Sequence, residues 1–229
     1  IFARTVVLAT GVRYRRLDVA GVDEHVGNGV TYGSATTMAR ELQDRDAFVV
    51  GAGNSAGQAA VHLARFARSV TLVARRGDLA ETMSDYLVRE IAALPTVRVR
   101  TRTRIVDGGG DGRLERLTLE DLDTGERESV AADGLCCMLG AEPACAWLPD
   151  ALARDAHGFV LTGRDVPRDA WIDGGPPASL ETTVRGIFAV GDVRAGSMKR
   201  VASAAGEGAS ALPLVHAELA RLRELRLGG

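Results

Sequence analysis

The chain has 229 residues, more than one small domain at about 150 residues each but short of two, and 46% hydrophobic residues, 25% charged residues and 27 glycines exclude a disordered or collagen-like chain. The 28 basic and 30 acidic residues leave a net charge of −2 with the basic groups scattered, which gives no electrostatic case for nucleic acid. No apolar run approaches the roughly 18 residues of a bilayer span, and the opening IFARTVVLATG lacks the basic head and cleavage site of a signal peptide, so a cytoplasmic protein without a membrane partner is expected.

Three short apolar runs each end in glycine: Thr5 to Ala9 before Thr10 and Gly11, Phe48 to Val50 before Gly51, and Ile187 to Val190 before Gly191 and Asp192. Such runs suit buried parallel strands. Open α/β sheets hold ligands at the carboxyl ends of their strands. After Gly53, residues 54–68 carry Ala60, Leu63, Ala64 and Ala67 at helical spacing, and Val70 to Val73 resumes a strand, which completes a βαβ unit. A second helix is expected from Met83 to Leu94, stopped by Pro95. The stretch VRVRTRTRI (97–105) alternates four arginines with Val97, Val99, Thr101, Thr103 and Ile105, the pattern of one strand with a solvated face. Turns over Gly108–Gly112 and Asp123–Gly125 separate strands at 114–119, 126–130 and 135–139. A last helix is expected over 208–227, with Pro213 early in it.

The loop FVVGAGNSAGQAA places Gly51, Gly53 and Ala56 in a G-x-G-x-x-A pattern between strand and helix. The first glycine makes the tight turn, the second admits a pyrophosphate, and Ala56 lets helix and strand pack closely. Asn54 and Ser55 then open the helix, whose N-terminus favours phosphate. About 20 residues on, where a carboxylate would bond an adenosine ribose, the chain carries Arg75 and Arg76 instead. Two guanidinium groups can grip a 2′-phosphate, so NADPH is favoured over NADH. All basic residues but Lys199 are arginine, a bias that weakens any single arginine pair as a signal.

The segment GIFAVGDVRAGSMKRVASAAGEG (186–208) resembles the flavin-binding C-terminal motif of the thioredoxin reductase family of pyridine nucleotide and flavin oxidoreductases. Thr10 and Gly11, the glycine loop, the arginine pair and the Gly191–Asp192 motif follow that family's order across the chain. The resemblance implies FAD beside NADPH, with Asp192 bonding the flavin ribityl chain and Lys199, Arg200, Val201 and Ala202 lying along the isoalloxazine. It implies an α/β fold in which a Rossmann-like NAD(P)-binding domain at 31–141 is inserted into an incomplete Rossmann-like FAD domain made of 1–30 and 142–229. The family's nucleotide domain follows about 100 residues that carry a first flavin loop, so this sequence is expected to be a piece of a longer protein.

A second departure lies upstream of the glycine loop, where thioredoxin reductases read Tyr-Cys-Ala-Thr-Cys-Asp. Here the residues are Tyr32-Gly33-Ser34-Ala35-Thr36-Thr37-Met38. Without a thiolate this loop cannot exchange disulfides. Cys136 and Cys137 are expected to be buried in a strand and Cys145 to be inert. The histidines His25, His62, His157 and His216 follow no metal-ligand spacing and are expected at surface or capping positions. No metal site and no protein catalytic acid or base is assigned. The expected activity is hydride transfer from NADPH to FAD and onward to a small redox protein or small-molecule acceptor, in a full-length homodimer. Alternatives are a ferredoxin or flavodoxin reductase, a disulfide reductase with relocated thiols, and an NADPH-sensing module without turnover.

Overall fold

The structure, a computed structural model, describes residues 2–33, 35–36, 38–172 and 174–227. The chain divides into two compact units, one made of Ile1–Arg13 with Ala141–Gly229 and the other of Tyr14–Gly140.

The chain opens with β1 (Val6–Leu8) and β2 (Val12–Tyr14). The continuous unit then runs through α1 (Ala20–Asp23), β3 (Val30–Tyr32), β4 (Asp46–Val50), α2 (Asn54–Leu63), β5 (Ser69–Val73), α3 (Asp85–Ala93) and β6 (Val97–Arg100). It continues as β7 (Thr103–Gly109), β8 (Arg116–Asp121), β9 (Arg127–Ala131) and β10 (Gly134–Cys137). The main sheet has the order β3-β10-β4-β5-β6 and every pairing in it is parallel. Successive strand residues face opposite ways, and both faces of this sheet are covered. Ala47, Val49, Val70 and Leu72 pack with Ala59, Ala60 and Leu63 of α2 and Leu87 and Ile91 of α3. Phe48, Val50, Val73 and Leu135 pack on the other side with Ile105, Leu117 and Leu119 of the antiparallel sheet β7-β8-β9. This double burial explains the unbroken apolar runs.

Several expectations change. The single strand over 97–105 is two strands in different sheets, because the chain turns at Arg102, which holds φ +46°. Gly108 and Gly109 belong to β7 rather than to a turn. His25 is buried, 7% exposed. Residues 14–30 belong to the continuous compact unit, which starts at Tyr14. Residues 14–29 hold no apolar run that announces where they belong, and their anchor is short. Val22 in the four-residue α1 is fully buried in the cluster of Ile105, Leu117 and Leu119.

The discontinuous unit adds β11 (Ala141–Pro143), which pairs with β2, and β12 (Ile187–Ala189), which pairs parallel with β1 from Val6↔Ile187 to Leu8↔Ala189. Leu8, Cys145, Leu148, Leu152, Val160, Ala189 and Val193 form its core. The final helix, α4 (Val201–Leu227), starts seven residues before the expected Gly208 and carries Pro213 within it. Only Ala211 of α4 is buried. Val6, Val7, Met198, Val201 and Leu212 are exposed. Among the described residues no helix is long and apolar enough to cross a membrane.

Candidate nucleotide-binding site

At the carboxyl end of β4 a cleft of about 410 Å³ is lined by Gly51, Ala52, Gly53, Asn54, Ser55, Val73, Arg75, Arg76, Thr82 and residues 138–140. Gly51 holds φ +147°, and a Cβ there would overlap the Met138 carbonyl oxygen and lie 3.0 Å from the Ala56 methyl. Only glycine fits, for backbone and steric reasons alike. At Gly53 the position of a Cβ is open space, so the backbone leaves a cradle where an incoming group can approach. Gly53 caps α2 without a side-chain hydrogen bond, and its carbonyl accepts from the Ala56 and Gly57 amides. The Asn54 and Ser55 amides have no partner within the helix. They sit at the positive end of its dipole, where an anionic group is favoured.

Three contacts that the sequence did not reveal hold the loop in place. The Thr82 hydroxyl donates to the Ala52 carbonyl at 2.9 Å. Asn54 Nδ2 donates to Ser84 Oγ at 2.9 Å, and the Ser84 amide donates back to Asn54 Oδ1 at 2.7 Å. The glycine loop is thus clasped to the segment before α3. Thr82 and Ser84 lie some 30 residues from their partners, in a stretch without periodicity.

Arg75 and Arg76 follow β5 and are both exposed. Arg76 pairs with Glu81 at 2.7 Å, whereas Arg75 has no ion-pair partner among the described residues. The expected arginine stripe is mostly paired within the chain: Arg100 with Glu128, Arg102 with Asp123, and Arg104 with Glu120. These pairings suit a solvated face rather than an anion site.

The discontinuous unit carries the remaining expected residues. Val190 donates to the Leu8 carbonyl beside β1, and Gly11, at φ +66°, accepts from Ala144. Thr10 is exposed. Gly191, at φ +71°, donates its amide to Glu207 Oε2 at 2.7 Å. Glu207 also pairs with the Arg194 guanidinium, which holds its carboxyl below the usual range, while the pairing raises Arg194. Glu207 therefore fixes the turn that presents Asp192. The sequence signal that could have found it is the acid six residues into α4, facing back along the helix. Asp192 is half-buried with no hydrogen bond among the described residues, and Ser197 Oγ is buried without a partner. An unpaired carboxylate and an orphaned hydroxyl fit a polyhydroxyl ligand. Lys199, at φ +50°, rests its ammonium 4.1 Å above the Phe159 ring. Arg200, Val201 and Ala202 are exposed at the start of α4.

In the loop after β3, Ser34 and Thr37 lie outside the described residues. Tyr32 accepts from the Leu17 amide at 3.1 Å and donates to Asp23 at 3.2 Å, and burial pushes its phenol up to about 12. Cys136 and Cys137 are fully buried neighbours in β10. Cys136 belongs to the α2 and α3 side of the sheet and Cys137 to the opposite side, and burial raises each thiol to about 12. Burial disfavours the thiolate of each, and the two side chains lie on opposite sides of the sheet. Cys145 is buried, donates to the Gly158 carbonyl at 3.1 Å, and is likewise raised by burial.

Residues 1–208 match the family described as pyridine nucleotide-disulphide oxidoreductase. The thioredoxin reductase of Treponema pallidum is 30% identical over 209 residues, which cover 91% of this chain and 62% of that protein. An alkyl hydroperoxide reductase component from Staphylococcus epidermidis is also 30% identical, over 91% of this chain and 38% of that protein. The crystal structure of thioredoxin reductase from Streptococcus pyogenes superposes with a TM-score of 0.77 at 29% identity, over 95% of this chain and 66% of that one. The Rossmann-like α/β fold is thus shared. The chain spans about three-fifths of the length of the matched thioredoxin reductase and under two-fifths of the hydroperoxide reductase component.

Proposed function

The chain belongs to the pyridine nucleotide-disulphide oxidoreductase family, and from that premise we propose that its protein takes a hydride from NADPH onto FAD and delivers the electrons to an acceptor other than a dithiol at residues 33–36. The observation that carries this reading is the cleft at the end of β4, where an open glycine cradle and free helix amides lie beside Arg75 and Arg76. In it the Asn54 and Ser55 amides bind the pyrophosphate, and the arginines bind the 2′-phosphate that distinguishes NADPH from NADH.

The loop clasps from Thr82 and Asn54 keep those amides aimed before the ligand arrives. FAD, when bound, supplies the two-electron centre, and the unpaired Asp192 carboxylate and Ser197 hydroxyl are the groups of this chain that would hold its polyhydroxyl portion. Hydride transfer needs alignment rather than a protein acid or base. The chain's part is therefore to bind, orient and exclude water. The onward acceptor is a small redox protein or a small molecule, and three unpaired cysteines suit a reducing compartment such as the cytoplasm. The full-length protein is expected to be yellow and to lose its visible absorbance when NADPH is added without oxygen. A colourless protein that still binds NADPH would instead be a nucleotide-sensing module.

A further inference from the structure

The strand end that carries a ribose-binding carboxylate in NADH sites carries Arg75 and Arg76 here, yet the fold brings a carboxylate back to it from five residues beyond Arg76. Arg76 Nη1 donates to Glu81 Oε2 at 2.7 Å. Arg76 and Thr82, the residue after Glu81, both line the cleft, so this carboxylate flanks it beside one of the two guanidinium groups. One of the two positive charges is therefore offset.

The backbone on each side of the pair is fixed. Glu81 closes a single 3₁₀ turn, Leu79–Glu81, whose first residue is buried with α2 and α3. Asp78 Oδ1 accepts from the Ala80 amide at 2.9 Å, and the Thr82 and Met83 amides donate to the Leu79 carbonyl at 3.1 and 2.9 Å. The Thr82 hydroxyl joins this turn to the glycine loop at Ala52. On the other side, the Arg76 carbonyl accepts from the Arg102 amide at 3.0 Å. The two side chains are about half exposed and free to change rotamer, but the effect does not hang on one rotamer. Coulomb energy falls only as the reciprocal of distance, so a carboxylate tethered at this point lowers the positive potential of the cleft in any of them.

A 2′-phosphate brings about −1.5 to −2 charge at neutral pH, which two free guanidinium groups would match and one free with one engaged do not. NADH presents a hydroxyl at that place and is indifferent to the deficit. We propose that Glu81 is a specificity-determining residue: by engaging Arg76 it restrains the preference of this site for NADPH over NADH. The proposal rests on the reading of the cleft as an NADPH site and names the residue that limits its selectivity. Glu81→Gln is the probe, because it keeps the size of the side chain and removes its charge.

The test is a fluorescence titration of the full-length protein with NADPH and with NADH at low salt. Glu81→Gln is expected to bind NADPH about fivefold tighter, the upper range for release of an exposed ion pair, with NADH unchanged. In the Arg76→Ala background the gain is expected to fall by half or more, because no guanidinium is left to release. At about 1 M salt, where the Debye length is about 3 Å, most of the gain should vanish, which a purely structural role of Glu81 would not produce. NADPH binding that Glu81→Gln leaves unchanged or weakens, an equal gain for both nucleotides, an equal gain without Arg76, or a gain that persists at high salt overturns the proposal and leaves the NADPH reading standing. Failure of the unsubstituted protein to bind NADPH overturns both.

Discussion

The cleft at the end of β4 and the Gly191–Asp192 turn are built on the same plan, a glycine of positive φ between a strand end and a helix, yet they are finished differently. In the cleft, Thr82, Asn54 and Ser84 close the loop from within the same unit, and only the ligand-facing amides are left open. At the turn, Glu207 holds the backbone, but among the described residues a carboxylate and a hydroxyl lack partners, and Val6, Val7, Met198 and Val201 are exposed around that unit. The cleft is ordered by contacts of its own unit, so a ligand bound there would meet little ordering cost. The turn is a set of half-made contacts whose ordering depends on what it binds.

The largest effect that tests this contrast is Gly51→Ala. The methyl would meet the Met138 carbonyl at a backbone conformation alanine disfavours, a cost of about 3 kcal/mol. Denaturant unfolding should show that loss in the transition of residues 14–140, together with loss of NADPH binding. Next comes the arginine pair. Removing a charged hydrogen bond to phosphate costs about 1.5 to 3 kcal/mol, so Arg75→Ala should weaken NADPH roughly tenfold or more and leave NADH unchanged in a fluorescence titration. Arg76→Ala should cost less, because Arg76 must first leave Glu81. Thr82→Val should cost about 1 kcal/mol of nucleotide affinity for one neutral hydrogen bond, with little change in cofactor preference.

The smallest effect is a pH dependence at the other region. Glu207 has its pKa lowered in the folded state, chiefly by Arg194. Its stabilisation is therefore fully present above the unfolded carboxylate value of about 4.3 and is lost as pH falls through the depressed folded value. Hydrogen exchange of the Gly191 amide should quicken over that acidic window. Glu207→Gln should exchange faster at neutral pH and show no such step, and an unchanged profile in the variant would break the comparison.

Much of this was readable beforehand, because the strongest signals are local. The glycine spacing at Gly51 and Gly53, the burial of both sheet faces and the arginines after β5 follow from neighbours in sequence. What escaped was held by distant pairs. Thr82 and Ser84 carry no pattern, and their role appears only when the loop they clasp is folded beside them. The arginine alternation over 97–105 read as one strand because side-chain polarity is indifferent to the backbone reversal at Arg102. The allegiance of residues 14–29 rested on Val22, one buried side chain in a single helical turn.

The buried cysteines give the molecule built-in clocks. A thiol whose pKa has been pushed to about 12 and which is sealed inside a sheet reacts with an alkylating reagent only during moments when that sheet opens. Cys136 and Cys137 time the opening of the nucleotide unit from its two faces, and Cys145 times the other unit. Equal labelling rates at all three would mean that the chain opens as one cooperative body, and faster labelling at Cys145 would mean that the loosely finished unit opens first.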